Sequence, residues 1–324
     1  MDKKQMDMKT NQLTAKCKLT LNVFALLLTT LLFTNTYGQT NDKKTQPVHY
    51  NRPLTPVRGY YKQLEAFSSA PKSPNEEVDK KKFITAQAAI DKRLSLKPIY
   101  LSEVPADDFT LPEPPANSSL QTRAELNYLV ELEKNRTEED IRRCHFMSGI
   151  YYNLNIHPGD TAYNKNRENL FYIGHSIGTW FNQKTLPLTA DLMANVWRDA
   201  NYFIWALKYK YARIRPYMLD SKLKNLEEAN APSYPTGTAT DSYIQAYIFQ
   251  ELAPQFTDIF VSDAYDMSQS REVIEVHYPS DVEGSRILAR QFVNKLFQNK
   301  KFLSDFENVK KEWASKARES LVDK

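Results

Sequence analysis

LTADLMANVWRDANYFIWALKYKYA, residues 188–212, is the stretch whose reading decides the fold. Leu192, Val196, Ala200, Phe203, Leu207 and Tyr211 recur at steps of three and four, which places them on one stripe of an α-helix. Working outward, TEEDIRRCHFMSGIYYN (137–153) opens with Thr137 and Asp140 at capping-box spacing. Further helical segments are expected near 79–93, 239–251, 258–275, 280–298 and 301–320, and no series of alternating strands competes with them. Only 8 glycines in 324 residues agree with a helical architecture. The expected fold class is all-α, one helical domain over residues 116–324.

The flanks have a different character. Lys3, Lys4, Lys9, Lys16 and Lys18 precede the apolar run LTLNVFALLLTTLLF (19–33), and Gly38 offers a small residue for cleavage. Residues 1–38 are therefore expected to be a signal peptide for periplasmic or secreted export, the run being short of the roughly 20 residues of a membrane span. Cys17 lies before that run, the wrong side for a lipidated cysteine, and Cys144 then remains alone, expected to be a buried apolar residue. Losing this segment removes five Lys and two Asp from a chain of net charge +4, so no nucleic-acid or membrane-surface partner is implied. Residues 39–115 hold ten of the 17 prolines and end in LPEPPANSS (111–119); they read as a partly ordered arm.

Three clusters carry chemistry. In KYKYARIRP (208–216), Lys208 and Arg215 stand two helical turns apart, which would let both project from one face toward an oxyanion, with Pro216 closing the helix. Lys210 and Arg213 make a solvated basic stretch the plainer reading of that segment alone. In SREVIEVHYPSD (270–281), Arg271 adds a third cation, and Pro279 suits the first turn of a helix with His277 just before it and Asp281 just inside it. Asp281 could then hold one ring nitrogen and leave the other free to attack. The third cluster, GHSIG (174–178), matches a serine nucleophile elbow, with Asp263 or Asp266 and then His277 in suitable chain order. The surrounding RENLFYIGHSIGTWFNQ nevertheless reads as helix, where an elbow needs a strand.

Lys208, Arg215 and Pro216, followed by Ser270, Arg271, His277 and Asp281, resemble the phosphatidic acid phosphatase type 2 superfamily, and within it the secreted bacterial class A nonspecific acid phosphatases. The resemblance runs from about Leu111 to the C-terminus. It implies a helical bundle shared with vanadate-dependent haloperoxidases, a phosphohistidine formed on His277 with Asp281 orienting it, and a phosphoryl group held by Lys208, Arg215 and Arg271. The substrate would be a small phosphomonoester, with no cofactor or metal. A homo-oligomer is compatible with it. The family's Pro-Ser-Gly-His is Pro235-Thr236-Gly237-Thr238 here. Thr236 and Gly237 can still serve the phosphate, the one by its hydroxyl and the other by an accessible N–H. Thr238 cannot replace the histidine that protonates the leaving oxygen, and with Asp241 it has the spacing of a capping box for the helix at 239–251. Water, Asp241, Tyr278 or His175 could supply the proton. The alternatives to a phosphatase are an inactive phosphate-binding protein, a vanadate-dependent haloperoxidase and a serine esterase.

Overall fold

The computed structural model describes residues 77–322; the expected signal peptide and the first part of the proline-rich arm lie outside them. The helices are α1 (Gln87–Leu94), α2 (Leu120–Asn135), α3 (Glu138–Ser148), α4 (Tyr163–Glu168), α5 (Pro187–Tyr211), α6 (Pro216–Leu219), α7 (Gly237–Leu252), α8 (Thr257–Val273), α9 (Pro279–Leu296) and α10 (Lys300–Val322). No strand occurs among the described residues, and the fold is all-α as the periodicity predicts.

Helix α7 sits between α8 and α9 and also touches α5. Every residue from Ala239 to Phe249 is buried, so α7 has no solvent face, and neighbours on all sides replace the amphipathic pattern of a surface helix. In α5 the full predicted stripe is buried, and Met193, Trp197 and Ile204 widen it. Helix α10 returns across the N-terminus of α5: the Glu312 carboxylate accepts from the N–H groups of Leu188 (2.8 Å) and Thr189 (2.9 Å), and Trp313 Nε1 donates to Thr189 Oγ1 at 2.8 Å. These bonds satisfy donors that a helix start leaves free.

Part of the proline-rich segment belongs to the same core. Asp199 of α5 accepts from the N–H groups of Tyr100 and Leu101, both at 2.8 Å. Farther on, the Phe109 ring packs on Phe203 at 4.8 Å and stacks on Phe292 at 6.2 Å. Such aromatic contacts add to the burial of the rings themselves. Thr137 and Asp140 form the predicted capping box of α3, and Cys144 is buried against Ile274 and Val276.

Three local expectations are corrected. The segment around GHSIG is not a helix: α4 ends at Glu168, a 3₁₀ turn covers Asn169–Phe171, and turns follow to α5. Gly174 has φ +91°, its N–H donates to Asp263 Oδ2 at 2.7 Å, and a Cβ there would stand 2.6 Å from the Phe260 ring. A left-handed glycine cannot continue a helix, and with no strand before it the serine has no nucleophile elbow either. Second, α5 stops at Tyr211 and does not carry Arg215. Ala212 takes φ 47°, and Arg215, forced from helical backbone by the proline after it, is extended at φ −72°, ψ 151°. Pro216 therefore starts α6 where it was expected to close α5. Third, Thr238 caps nothing: α7 begins at Gly237 with Thr236 at its N-cap, which puts Thr238 inside the first turn.

Candidate active site

One cavity of about 560 Å³ gathers Lys208, Arg215, Gly237, Thr238, Arg271 and His277 from α5, the link after it, α7, α8 and the loop before α9. Asp281 and Thr236, the other two predicted residues, are fully buried behind its wall.

His277 is fixed from both ring nitrogens. Arg215 Nη1 lies 2.9 Å from Nε2, and a guanidinium can only donate, so Nε2 carries the lone pair and Nδ1 the proton. That proton points to Asp281 Oδ2 at 3.2 Å. Burial, then the nearby Arg215, holds the imidazole well below its usual pKa, so the ring is neutral. The ring is thus unprotonated at Nε2, and its one lone pair accepts from Arg215.

Asp281 stands at the third position of α9 and accepts four donors: Ser233 Oγ at 2.5 Å, the Tyr278 N–H at 3.0 Å, His277 Nδ1, and Arg213 Nη1 at 2.6 Å. Burial alone would raise this carboxyl, but Arg213 foremost, with His277 and Ser233, brings it well below the usual carboxylate range. Arg213 is held in turn by Glu125 of α2 at 3.2 Å and covers the Tyr278 ring at 3.9 Å. Glu125 also accepts from Ser280 Oγ at 2.9 Å. Arg213, Glu125 and Ser233 are the residues that sequence reasoning missed. The one signal was Arg213 itself, set down as part of a solvated stretch; it is buried because Ala212 ends α5 and turns the chain inward.

The cations are arranged unequally. Lys208 donates to the carbonyls of Pro232 (2.8 Å) and Ser233 (3.3 Å), and burial followed by Arg215 lowers its pKa far from the usual value. Arg215 donates through Nε to Ala231 O and through Nη1 to Val276 O; burial lowers it to about 10, so it keeps its charge. Arg271 is tied to Glu227 at 3.1 Å and to Ser148, while its Nε is enclosed without a partner. The Thr236 hydroxyl is likewise buried and unpartnered, although its backbone N–H and O both bond Ser285 Oγ. At Gly237 nothing in the fold requires glycine. Its φ is not in the left-handed region, and an added Cβ would meet only Ile204 Cγ2 at 3.9 Å while projecting beside the cavity.

Of the groups considered as replacement acids, His175 is half-exposed beside Asp263 and outside the cavity. Tyr278 is buried with its hydroxyl unpartnered, also outside the cavity wall. Asp241 lines the cavity.

No protein-family model matches the chain. In sequence it is 29% identical over 146 residues to a non-specific acid phosphatase of Providencia stuartii, which is 43% of this chain and 58% of that protein. It is 27% identical over 116 residues to one of Salmonella typhi, 34% of this chain and 46% of the relative. The chain thus spans about half the length of these relatives. In fold it is similar to a bacterial vanadium-dependent iodoperoxidase, with TM-score 0.50, 15% identity, and coverage of 73% of this chain and 64% of that one. The resemblance to non-specific acid phosphatases stands at the level of sequence, and the helical bundle is of the acid phosphatase and vanadium haloperoxidase type.

Proposed function

We propose that this protein is a phosphomonoesterase that works through a phosphohistidine on His277. The observation that carries this reading is the neutral His277, oriented by Asp281 and facing a cavity that also holds Lys208, Arg215 and Arg271. Two acid phosphatases among its sequence relatives support it. A dianionic phosphoryl group would replace Nε2 as the partner of Arg215 Nη1 and lie beside Arg271, which lines the same cavity, whereas the Thr236 hydroxyl stands behind the wall. Gly237 begins α7, so its N–H is one of the free donors of a helix N-terminus, a place where anions are favoured.

The first step forms the bond between Nε2 and phosphorus while the ester P–O bond breaks and the leaving oxygen takes a proton. Nδ1–H stays on Asp281, whose negative charge offsets the charge gained by the ring. In the second step water attacks phosphorus, the P–N bond breaks, and phosphate leaves with His277 neutral again. Phosphoryl transfer of this kind depends on alignment and positive charge, both of which the cavity supplies. Thr238 holds its proton too tightly to serve the leaving oxygen, so that proton comes from another group, and aryl phosphates, whose leaving groups need little protonation, depend on it least. The basic and apolar segment at 1–38 would direct the enzyme to the periplasm or beyond.

The test is turnover of para-nitrophenyl phosphate by the full chain beside His277→Ala. A loss of about a thousandfold or more is expected, as for removal of an attacking group, together with acid-labile phosphate on the native enzyme only. Tight binding of inorganic phosphate without turnover would instead assign the cavity to anion capture.

A further inference from the structure

Two acidic side chains line this cavity, Glu228 and Asp241; Glu228 is exposed, and Asp241 is the buried one, with no structural task. It lies on α7 four residues after Gly237 and three after Thr238, and all three line the cavity, as residues one helical turn apart on one face do. It is only 7% exposed, and its Oδ1 is enclosed with no hydrogen-bond partner. It pairs with no cation and, beyond the first turn of α7, it caps nothing. The neighbouring hydroxyl of Ser242 is spent on Thr238 O at 2.8 Å, which leaves the carboxyl as the acidic group of this wall.

We propose that Asp241 is the general acid and base of the reaction, in place of the histidine that Thr238 has displaced. This rests on the phosphomonoesterase reading above. As the ester bond breaks, the Asp241 carboxyl gives its proton to the leaving oxygen, directly or through one water, and becomes a carboxylate. In the second step that carboxylate takes a proton from the attacking water as the P–N bond breaks, and both Asp241 and His277 return to their starting states. Burial raises the Asp241 carboxyl well above the usual carboxylate range, so the proton is present when needed. The charged groups that share the cavity are Arg93, Lys208, Arg215, Glu228, Arg271 and His277, and Tyr151 is the titratable group coupled to Asp241.

The experiment compares Asp241→Asn with the native full chain on ethyl phosphate and on para-nitrophenyl phosphate. Expected is a loss of about 100-fold or more in kcat/KM on ethyl phosphate against less than about tenfold on the aryl ester, because only the alkoxide leaving group depends on protonation. The alkaline limb of the native pH profile should appear on ethyl phosphate and vanish in the variant. Thr238→His in the Asp241→Asn background should restore ethyl phosphate turnover. Equal losses on both substrates, or none, would overturn the role of Asp241 while leaving the phosphatase reading intact. Should Asp241→Asn not fold, the native enzyme decides: an alkaline limb of the same position on both substrates also overturns the role. If the native chain and His277→Ala do not differ on the aryl ester, the phosphatase reading fails and takes this role with it.

Discussion

Replacing Arg213 by Met tests the support of His277, the proposed nucleophile, most directly. Arg213 is bonded to two fully buried carboxylates, Asp281 at 2.6 Å and Glu125 at 3.2 Å. Methionine keeps the apolar stem and removes the charge. Taking one partner from a buried ion cluster leaves the others unpaired, which costs about 3–5 kcal/mol. For a domain of this size that is a fall in Tm of roughly 6–20 °C. The loss should depend on pH with a definite sign. In the native chain Asp281 lies below its ordinary pKa, so its stabilising contribution is present above the unfolded value near 4 and fades as pH falls toward the folded one. Without Arg213, burial pushes the same carboxyl upward, and the variant gains relative stability as it is protonated. The gap between the two proteins should therefore be widest near neutrality and shrink as pH falls, above about pH 4 as the variant's carboxyl is protonated and below it as the native contribution fades. Urea denaturation at several pH values measures it. Turnover of para-nitrophenyl phosphate should fall about 100-fold, because His277 loses the fixed carboxylate that aims it. A loss below about 1 kcal/mol at neutral pH, the range of an exposed pair, would refute this reasoning. So would a gap that does not change with pH.

Two glycines separate packing from chemistry. Gly284→Ala would bring a Cβ to 2.3 Å from the Tyr234 ring, which is buried and donates to Pro112 O at 2.8 Å, so a loss of about 1–3 kcal/mol is expected in thermal unfolding. Gly237→Ala meets only an ordinary contact with Ile204, so stability should hold or rise by up to about 1 kcal/mol, while KM for para-nitrophenyl phosphate rises because the methyl occupies phosphate space. Unchanged KM in that variant would remove Gly237 from the anion site.

The helices were legible because burial on one face imposes a period, and the stripe Leu192 to Tyr211 kept it without a break. The site was legible through residue types whose chemistry has few other uses together: a histidine four residues before an aspartate, at a proline-started helix, with arginines upstream. What escaped was set by backbone that side-chain spacing does not report. Ala212 in the left-handed region ended α5 early, which buried Arg213 and made it the support of Asp281. Gly174 broke the segment that composition offered as a helix. The start of α7 moved by two residues, and with it Thr238 changed from a cap to part of the cavity wall. Each of these depends on a single φ or a single helix boundary, and the consequences reach groups distant in sequence, such as Glu125 and Asp281.

One physical cause then serves two chemical needs. Removing water from the cavity disfavours whichever form of a group is charged, so the imidazole of His277 is pushed down and the carboxyl of Asp241 is pushed up. A reaction that needs an unprotonated nucleophile and a protonated acid at one pH requires shifts in these opposite directions. A histidine in place of Thr238 would share its desolvation with His277 and titrate downward beside the same cations. A carboxylic acid becomes a better-loaded proton donor as its surroundings become drier. On that account the threonine at 238, where the family it resembles has a histidine, and the unpaired carboxyl one turn along α7 would answer to one question, where the proton is kept. The pH profile should show it: the acid limb belongs to His277 and the alkaline limb to Asp241. Thr238→His alone should alter the alkaline limb on alkyl phosphates while leaving the acid limb in place.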